Sequence, residues 1–115
     1  MSRDYLLQVE DILVATDRIK GYVQGMSYDE FRADIKTQDA VVRNLQVIGE
    51  AVRGLPDELK TGEPLVNWRG IIGLRNVLVH EYFGINLPII WDVISNKLDD
   101  LEAGCKRLMK KATQL

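Results

Sequence analysis

The sequence predicts an all-α fold, an antiparallel bundle of four or five helices. Apolar residues recur at spacings of three and four along nearly the whole chain, which is the period of an amphipathic helix. Proline and glycine are sparse before Pro56, so little interrupts these helices. No stretch of useful length alternates between apolar and polar residues, as a half-buried strand would.

The helix boundaries follow from this periodicity and from turn residues. The predicted elements are a helix over 4–24 that Gly25 ends, a short helix from 27 to about 35, a helix from 37 or 38 to 53, a connection over 56–67 with one helical turn at 56–59, a helix from 68 to about 82, and a last helix from 86 onward. They form a single domain over residues 1–115, with no internal repeat.

Capping residues support the predicted helix starts. Ser27 and Glu30 fit a capping box, in which the hydroxyl and the carboxylate each accept from a backbone N–H group of the first turn. Asn67 is placed to cap the helix that follows it. Gly70 and Gly73 lie inside that helix, where each costs about 1 kcal/mol relative to alanine. We therefore expect these glycines to permit close approach of another helix.

The composition argues against several protein classes. The 115 residues include one cysteine and one histidine, so neither a disulfide framework nor a Cys/His zinc site can form within one chain. The single cysteine and an N-terminus without a continuous apolar stretch favour a reducing compartment. We expect a cytoplasmic protein with no metal, no cofactor of its own and no membrane contact. The net charge of −2 argues against a strongly basic nucleic-acid binder but permits a local basic site.

The charge distribution indicates where an anion would bind. Residues 1–40 carry five basic and eight acidic side chains, whereas residues 41–80 carry five basic and four acidic ones. An anion site is therefore expected in the middle of the chain, and its candidates are Arg43, Arg53, Arg69 and Arg75.

His80 is the residue on which most of the chemistry depends. Arg75 precedes it by five residues, or about 140° around an ideal helix, so the two side chains would not touch within one chain. Asn76 precedes it by four residues, shares its face and could orient the imidazole. Three interpretations stay open: His80 contacts carbonyl groups at the helix end, the helix contributes a polar network to the core, or it lines a cleft. The simplest cleft lies between two copies of the same helix.

Structural roles explain the other candidate residues better than catalysis does. Glu50 is expected to be a buried carboxylate paired with an arginine. The remaining expectations are core or interface anchors at Trp68 and Trp91, inert packing at Cys105, a solvated acidic face at Asp99, Asp100 and Glu102, and a solvated helix end at Lys106, Arg107, Lys110 and Lys111.

The residues around His80 resemble a family signature. Residues 75–82, R-N-V-L-V-H-E-Y, are similar to the Arg, four residues, His, any residue, Tyr pattern of the HEPN superfamily, and specifically of its HepT-like toxins. Segments 47–51, 68–72 and 86–94 and the polar residue after Arg75 also resemble that family. The resemblance covers essentially the whole chain.

The resemblance implies a HEPN-like homodimer that acts as a metal-independent endoribonuclease, the toxin of a toxin–antitoxin system. In this family the motif helices of two copies meet in a shared groove, and the substrate is RNA, here either tRNA or mRNA. The implied partner is a minimal nucleotidyltransferase antitoxin encoded beside the toxin. It is implied to neutralise the toxin by transferring AMP from ATP to Tyr82.

The implied catalytic residues are Arg75, Asn76 and His80. Two His80 side chains of a dimer could divide the acid and base roles, while Arg75 stabilises the phosphate and Asn76 orients the imidazole or contacts the phosphate. The expected product is a 2′,3′-cyclic phosphate. AMP on Tyr82 would add bulk and negative charge in the path of the RNA.

Two other functions are compatible with the sequence. The first is a non-catalytic helical dimer that binds a nucleotide or the partner transferase, which the negative net charge favours modestly. The second is a purely structural bundle in which the motif occurs by chance. Cleavage of RNA that depends on His80 would separate the ribonuclease from both.

Overall fold

The computed structural model of the chain describes the backbone of residues 4–80 and 86–113, and the side chains of these residues except at positions 4, 75–77, 79, 80 and 113. Within these ranges the chain has seven α-helices and no strand. They are α1 (Asp4–Val23), α2 (Tyr28–Ala33), α3 (Ile35–Arg53), α4 (Asp57–Thr61), α5 (Trp68–His80), α6 (Leu87–Asp92) and α7 (Leu98–Thr113). The all-α prediction is confirmed. The predicted end of α5 at Tyr82 lies outside the described residues.

Helix α1 follows the predicted apolar stripe. Its side chains at Val9, Ile12, Thr16 and Ile19 are fully buried. The Thr16 hydroxyl donates to the Ile12 carbonyl oxygen at 2.8 Å, so this buried polar group is satisfied within the helix. The chain leaves α1 through Gly25, whose φ of 76° lies in the left-handed region that glycine adopts without strain.

The start of α2 confirms the predicted capping box. The Glu30 N–H donates to Ser27 Oγ at 3.2 Å, and the Ser27 N–H donates to Glu30 Oε1 at 3.0 Å. The end of α2 is closed by Gln38, whose Nε2 donates to the carbonyl oxygens of Phe31 at 3.0 Å and Arg32 at 2.9 Å. Both ends of this short helix are therefore held by side chains.

Helix α3 begins earlier than its predicted start at Thr37 or Gln38. It starts at Ile35 because Asp34 caps it: Asp34 Oδ1 accepts from the Thr37 N–H at 3.0 Å, and Oδ2 accepts from the Thr37 hydroxyl at 2.8 Å. These two hydrogen bonds hold the pKa of Asp34 below its ordinary value, so the cap stays charged near neutral pH.

The long helices pack as antiparallel neighbours. Helix α3 packs against α1 and α5, and α7 packs against α1. Gln8, near the start of α1, lies beside Gly54 at the end of α3, where a Cβ would come within 2.6 Å of its Nε2. Lys20, near the end of α1, pairs with Asp99 at 2.5 Å and Glu102 at 3.3 Å near the start of α7. Among the described residues, no helix combines the length and the apolar character needed to cross a membrane.

The last helix contains a turn that the sequence did not predict. A π-helical turn, Val93–Lys97, joins α6 to α7, and the Leu98 N–H donates to the Val93 carbonyl oxygen five residues back. Ile90, Ile94 and Leu98 are spaced by four residues twice, which would carry them about 80° around a regular α-helix. Because the π-helical turn widens the local period, all three side chains remain buried.

An aromatic cluster joins α2 to α6. The Trp91 ring lies 5.1 Å from the Phe31 ring and 6.1 Å from the Tyr28 ring, measured between centroids. Phe31 is fully buried, which makes it the centre of this contact. Trp91 is thus a packing anchor, as predicted. At the same end of α6 Ile90 is buried, whereas Ile89 is 53% exposed.

Candidate functional site

Helix α5 carries the predicted catalytic residues, and side chains fix where it begins. Asn67 Oδ1 accepts from the Gly70 N–H at 3.0 Å, which confirms the predicted cap. The buried Trp68 indole donates through Nε1 to the carbonyl oxygens of Lys60 at 3.0 Å and Glu63 at 3.1 Å. The first turn of α5 is therefore tied to the loop that precedes it.

The C-terminal half of α5 contains Arg75, Asn76 and His80 in one helical segment. The helical backbone places Asn76 and His80 at positions i and i+4, and Arg75 one residue before Asn76. The predicted backbone geometry of the motif is confirmed through His80. The catalytic roles of these three residues stay predictions, because the structure describes their backbone only. Tyr82, the predicted modification site, lies outside the described residues.

A buried carboxylate fastens the loop before α5 to the C-terminal helix. Glu63 is 4% exposed, accepts from Arg107 Nε at 2.7 Å and lies 3.6 Å from Lys111 Nζ. Gly104 makes this approach possible, since a Cβ there would come within 2.6 Å of Val66 Cγ2. The position of α5 along the bundle is therefore set partly by a charge-assisted contact with α7.

The predicted buried carboxylate was placed at the wrong glutamate. Glu50 lies on the outer face of α3 and is exposed, because it is three residues from exposed positions on either side, Val47 and Arg53. The buried acid paired with an arginine is Glu63. Its sequence position, in a loop rich in charge and proline, gave no periodic signal of burial. Only the approach of α7 removes it from water.

We expect Glu63→Gln to lower the free energy of unfolding by about 1–2 kcal/mol, measured by urea denaturation. Breaking a fully buried ion pair costs about 3–5 kcal/mol, but Arg107 and Lys111 are about half exposed and would regain water. The matched control is Glu58→Gln, an exposed glutamate in α4, which should change stability by less than about 0.5 kcal/mol. Equal losses in the two variants would contradict a stabilising role for the Glu63 contact.

The basic side chains outside the motif divide into two groups. Arg43, Arg53 and Arg69 are exposed, as an anion site would require. At the C-terminal end, Lys106 pairs with Glu102 at 3.3 Å, and Arg107 and Lys111 contact Glu63. The C-terminal cluster therefore serves largely in ion pairs within the bundle, beyond the solvated helix end that was expected.

A groove runs beside α5 and shares that helix with the motif. It has a volume of about 430 Å³ and lies between α5 and the continuous helix formed by α6, the π-helical turn and α7. Its apolar walls are formed by Ile71, Leu74 and Leu78 on one side and by Ile89, Ile90 and Val93 on the other. We call it the α5–α6 groove. Periodicity did not predict it, because it arises only when these helices pack.

Gly70 and Gly73 line the α5–α6 groove, and within the described chain they do not contact another helix closely. A Cβ at Gly70 would come within 2.5 Å of Asn67 Nδ2, the cap of its own helix. A Cβ at Gly73 would meet nothing within 4 Å. The expected close approach of a helix is therefore wrong within this part of the chain, and Gly73 instead faces open space.

The remaining candidate groups are accounted for by packing. Cys105 is fully buried, and burial, with the nearby Glu63 charge, raises the pKa of its thiol to about 12, so it stays protonated as predicted for inert packing. Among the described residues, no group of three or more His, Cys, Asp or Glu side chains is placed to hold a metal ion.

Comparison with known proteins agrees with the motif and the fold. Residues 12–108 match the family described as Ribonuclease HepT-like. A Methanocaldococcus jannaschii protein named as a candidate RNase is 49% identical over 76% of this chain and 73% of its own length. A Thermococcus cleftensis protein named as a probable ribonuclease HepT is 32% identical over 96% of this chain and 100% of its own length.

A solved structure supports the same class. The tri-AMPylated HEPN toxin of Shewanella oneidensis, in complex with MNT antitoxin, superposes with a TM-score of 0.72 and 26% identity, covering 97% of this chain and 99% of that one. The helical bundle and the motif on α5 define a HEPN-type ribonuclease fold. The family match shows that this chain belongs to the HepT-like ribonucleases. The predicted family and enzyme class are confirmed.

Proposed function

We propose that two copies of this chain form a ribonuclease toxin in which Arg75, Asn76 and His80 of both copies act in one shared groove. The observation that carries the proposal is the position of these residues in the C-terminal half of a single capped helix, α5, in a HepT-like chain.

The chemistry of RNA cleavage explains why two copies are needed. A base must remove the proton of the 2′-hydroxyl, which attacks the adjacent phosphorus. An acid must protonate the 5′-oxygen as its bond to phosphorus breaks. The chain has one histidine, so a dimer supplies the two imidazoles that these roles require. Arg75 would stabilise the charge on the pentacoordinate phosphate, and a 2′,3′-cyclic phosphate would remain. On this mechanism, cleavage persists in the presence of EDTA.

The solved relative supports a particular partner and means of control. The Shewanella toxin is AMPylated and is bound to an MNT antitoxin. We infer that a minimal nucleotidyltransferase antitoxin regulates this chain by the same chemistry. The Tyr82 hydroxyl would attack the α-phosphorus of ATP, lose its proton and release pyrophosphate. The use of ATP fits the cytoplasmic location that we expect.

The substrate class is inferred from a relative of the same family. A Shewanella oneidensis protein named mRNA nuclease HepT is 29% identical over 64% of this chain and 73% of its own length. We therefore favour mRNA over tRNA as the substrate. AMP at Tyr82 would place negative charge beside the groove that binds the RNA phosphate, so modification would weaken both access and attraction.

We expect Tyr82→Phe to escape modification and to keep cleaving RNA when the antitoxin and ATP are present. The measurement is intact mass with peptide mapping, followed by RNA digestion before and after incubation with the transferase. The unchanged protein should gain the mass of one or more AMP units on Tyr82 and lose cleavage. The matched control is Tyr22→Phe, an exposed tyrosine on α1, which should be modified and inhibited normally.

Two results would contradict this proposal. AMP mapped to a residue other than Tyr82 would overturn the assignment of the modification site. An unmodified protein that leaves both mRNA and tRNA intact would favour the alternative, a non-catalytic helical dimer that binds a nucleotide or the transferase.

A further inference from the structure

The α5–α6 groove has the composition of a small-ligand site. Its volume of about 430 Å³ lies within the range of about 300–1,000 Å³ that ligand pockets occupy. Beside its apolar walls it is lined by five polar side chains: Asn67, Asn86, Asp92, Lys97 and Asp100. A contact made only between packed helices would not need so many polar groups around an apolar floor.

Two of these polar groups are preoriented hydrogen-bond donors. Asn67 Oδ1 accepts from the Gly70 N–H at 3.0 Å, and Asn86 Oδ1 accepts from the Ile89 N–H at 3.2 Å. Because each cap uses the oxygen, each amide nitrogen keeps two N–H groups that form no hydrogen bond within the described part of the chain. The groove therefore offers fixed donors from both of its sides.

The opposite chemistry comes from two carboxylates. Asp92 and Asp100 line the groove, and Asp92 Oδ1 is held by the Asn96 amide at 2.7 Å. Carboxylates only accept hydrogen bonds at neutral pH, so they suit a ligand edge that carries N–H groups. Lys97, on the π-helical turn, adds one positive charge to the same lining.

Amide donors, carboxylate acceptors and apolar walls together match a nucleobase. Its flat faces pack against aliphatic side chains, and its edge carries both amino groups and ring acceptors. Single-stranded RNA is read by proteins in this way, with a base splayed out of the strand. Because one wall of the groove is α5, a base held there lies along the helix that carries the predicted catalytic residues.

We propose that the α5–α6 groove binds one unpaired, amino-bearing base of the substrate RNA, adenine, guanine or cytosine. This inference rests on the proposed ribonuclease function and extends it to substrate selection. The two carboxylates disfavour uracil, whose edge carries carbonyl oxygens where the other bases carry an amino group. Lys97 would contact the backbone phosphate of the bound nucleotide.

A matched pair of nucleotides tests the recognition directly. AMP and IMP have the same size, but IMP carries a carbonyl oxygen in place of the amino group. Binding to the His80→Ala protein is followed by NMR through the side-chain amide signals of Asn67 and Asn86. We expect AMP to shift both signals and to bind about tenfold more tightly than IMP. Asp100→Asn should narrow that difference.

Gly73 provides a variant that fills the groove without disturbing the bundle. A Cβ at Gly73 meets nothing within 4 Å, so Gly73→Leu should fold normally and occupy the space of the base. The matched control is Gly21→Leu on α1, where a Cβ also meets nothing within 4 Å and which does not line the groove. Gly73→Leu should weaken binding of AMP and of a single-stranded RNA decamer at least tenfold, and Gly21→Leu should leave both unchanged.

Three outcomes would overturn the inference. Unchanged amide signals with AMP would show that the groove does not bind a base. Loss of AMP binding but not RNA binding in Gly73→Leu would assign the groove to a mononucleotide from another source. A change in oligomeric state in Gly73→Leu, measured by light scattering, would assign the groove to a contact between two copies.

The test separates this inference from the ribonuclease proposal. Base binding is measured with protein that lacks His80, so it does not depend on cleavage. If wild-type protein cleaves RNA and Gly73→Leu binds it normally, the inference fails while the ribonuclease stands. If AMP and RNA bind as expected but wild-type protein never cleaves RNA, the ribonuclease proposal fails alone.

Discussion

Replacing His80 by alanine should slow RNA cleavage by about 10²–10⁴-fold, the usual contribution of general acid–base catalysis. The loss should appear in kcat, because proton transfer occurs only as bonds form and break. Mixed dimers add a sharper test. When equal amounts of wild-type and His80→Ala chains are reassociated, activity should fall to about one quarter of the wild-type value if both imidazoles are needed, and to about one half if each works alone.

The controls for this prediction use helix content and a matched pair of arginines. His80→Ala should keep the circular dichroism spectrum of the wild-type protein. Arg75→Ala should also lose cleavage, whereas Arg18→Ala, an exposed arginine on α1, should keep it. Cleavage that survives in His80→Ala would remove the imidazole from the mechanism and favour the non-catalytic interpretation.

Replacing Phe31 by alanine should lower the free energy of unfolding by about 3–5 kcal/mol. Phe31 is fully buried, and its ring lies 5.1 Å from that of Trp91, so truncation leaves a cavity where α2 meets α6. Domains of this size are stable by about 5–15 kcal/mol, and the variant would approach the unfolding threshold. Urea denaturation followed by tryptophan fluorescence measures the change.

Ile35 provides the matched control for Phe31. It is a large apolar residue close by in sequence, but its side chain is 71% exposed. Ile35→Ala should therefore change stability by no more than about 0.5 kcal/mol. If the two variants lost the same free energy, the aromatic cluster would not be the contact that holds α2 to α6.

Local sequence signals predicted most of the helices and their caps. Ser27 and Asn67 are caps because a short polar side chain can accept from the first free N–H groups of a helix, and this requires no knowledge of the rest of the fold. The earlier start of α3 was missed because Asp34 was read as part of the preceding helix, although it is itself a capping residue type.

Features that depend on packing were not predictable in the same way. Burial of Glu63 requires α7 to cover a loop, and the openness of Gly73 requires that no helix of the chain does so. The sequence assigned His80, Arg75 and Asn76 to one helix correctly. The π-helical turn left a signal that could have been found: Ile90, Ile94 and Leu98 repeat a spacing of four twice, without the intervening three that keeps a regular stripe straight.

The π-helical turn also determines how the last helix tolerates insertions and deletions. Removing one residue from Val93–Lys97 would allow a regular α-helix to form, but it would rotate everything that follows by about 100°. The side chains of Leu98, Leu101 and Cys105 would then leave the core, and Lys111 would lose its position opposite Glu63. In alignments of related chains, a gap should therefore not fall in this segment unless a second change restores the phase of the helix.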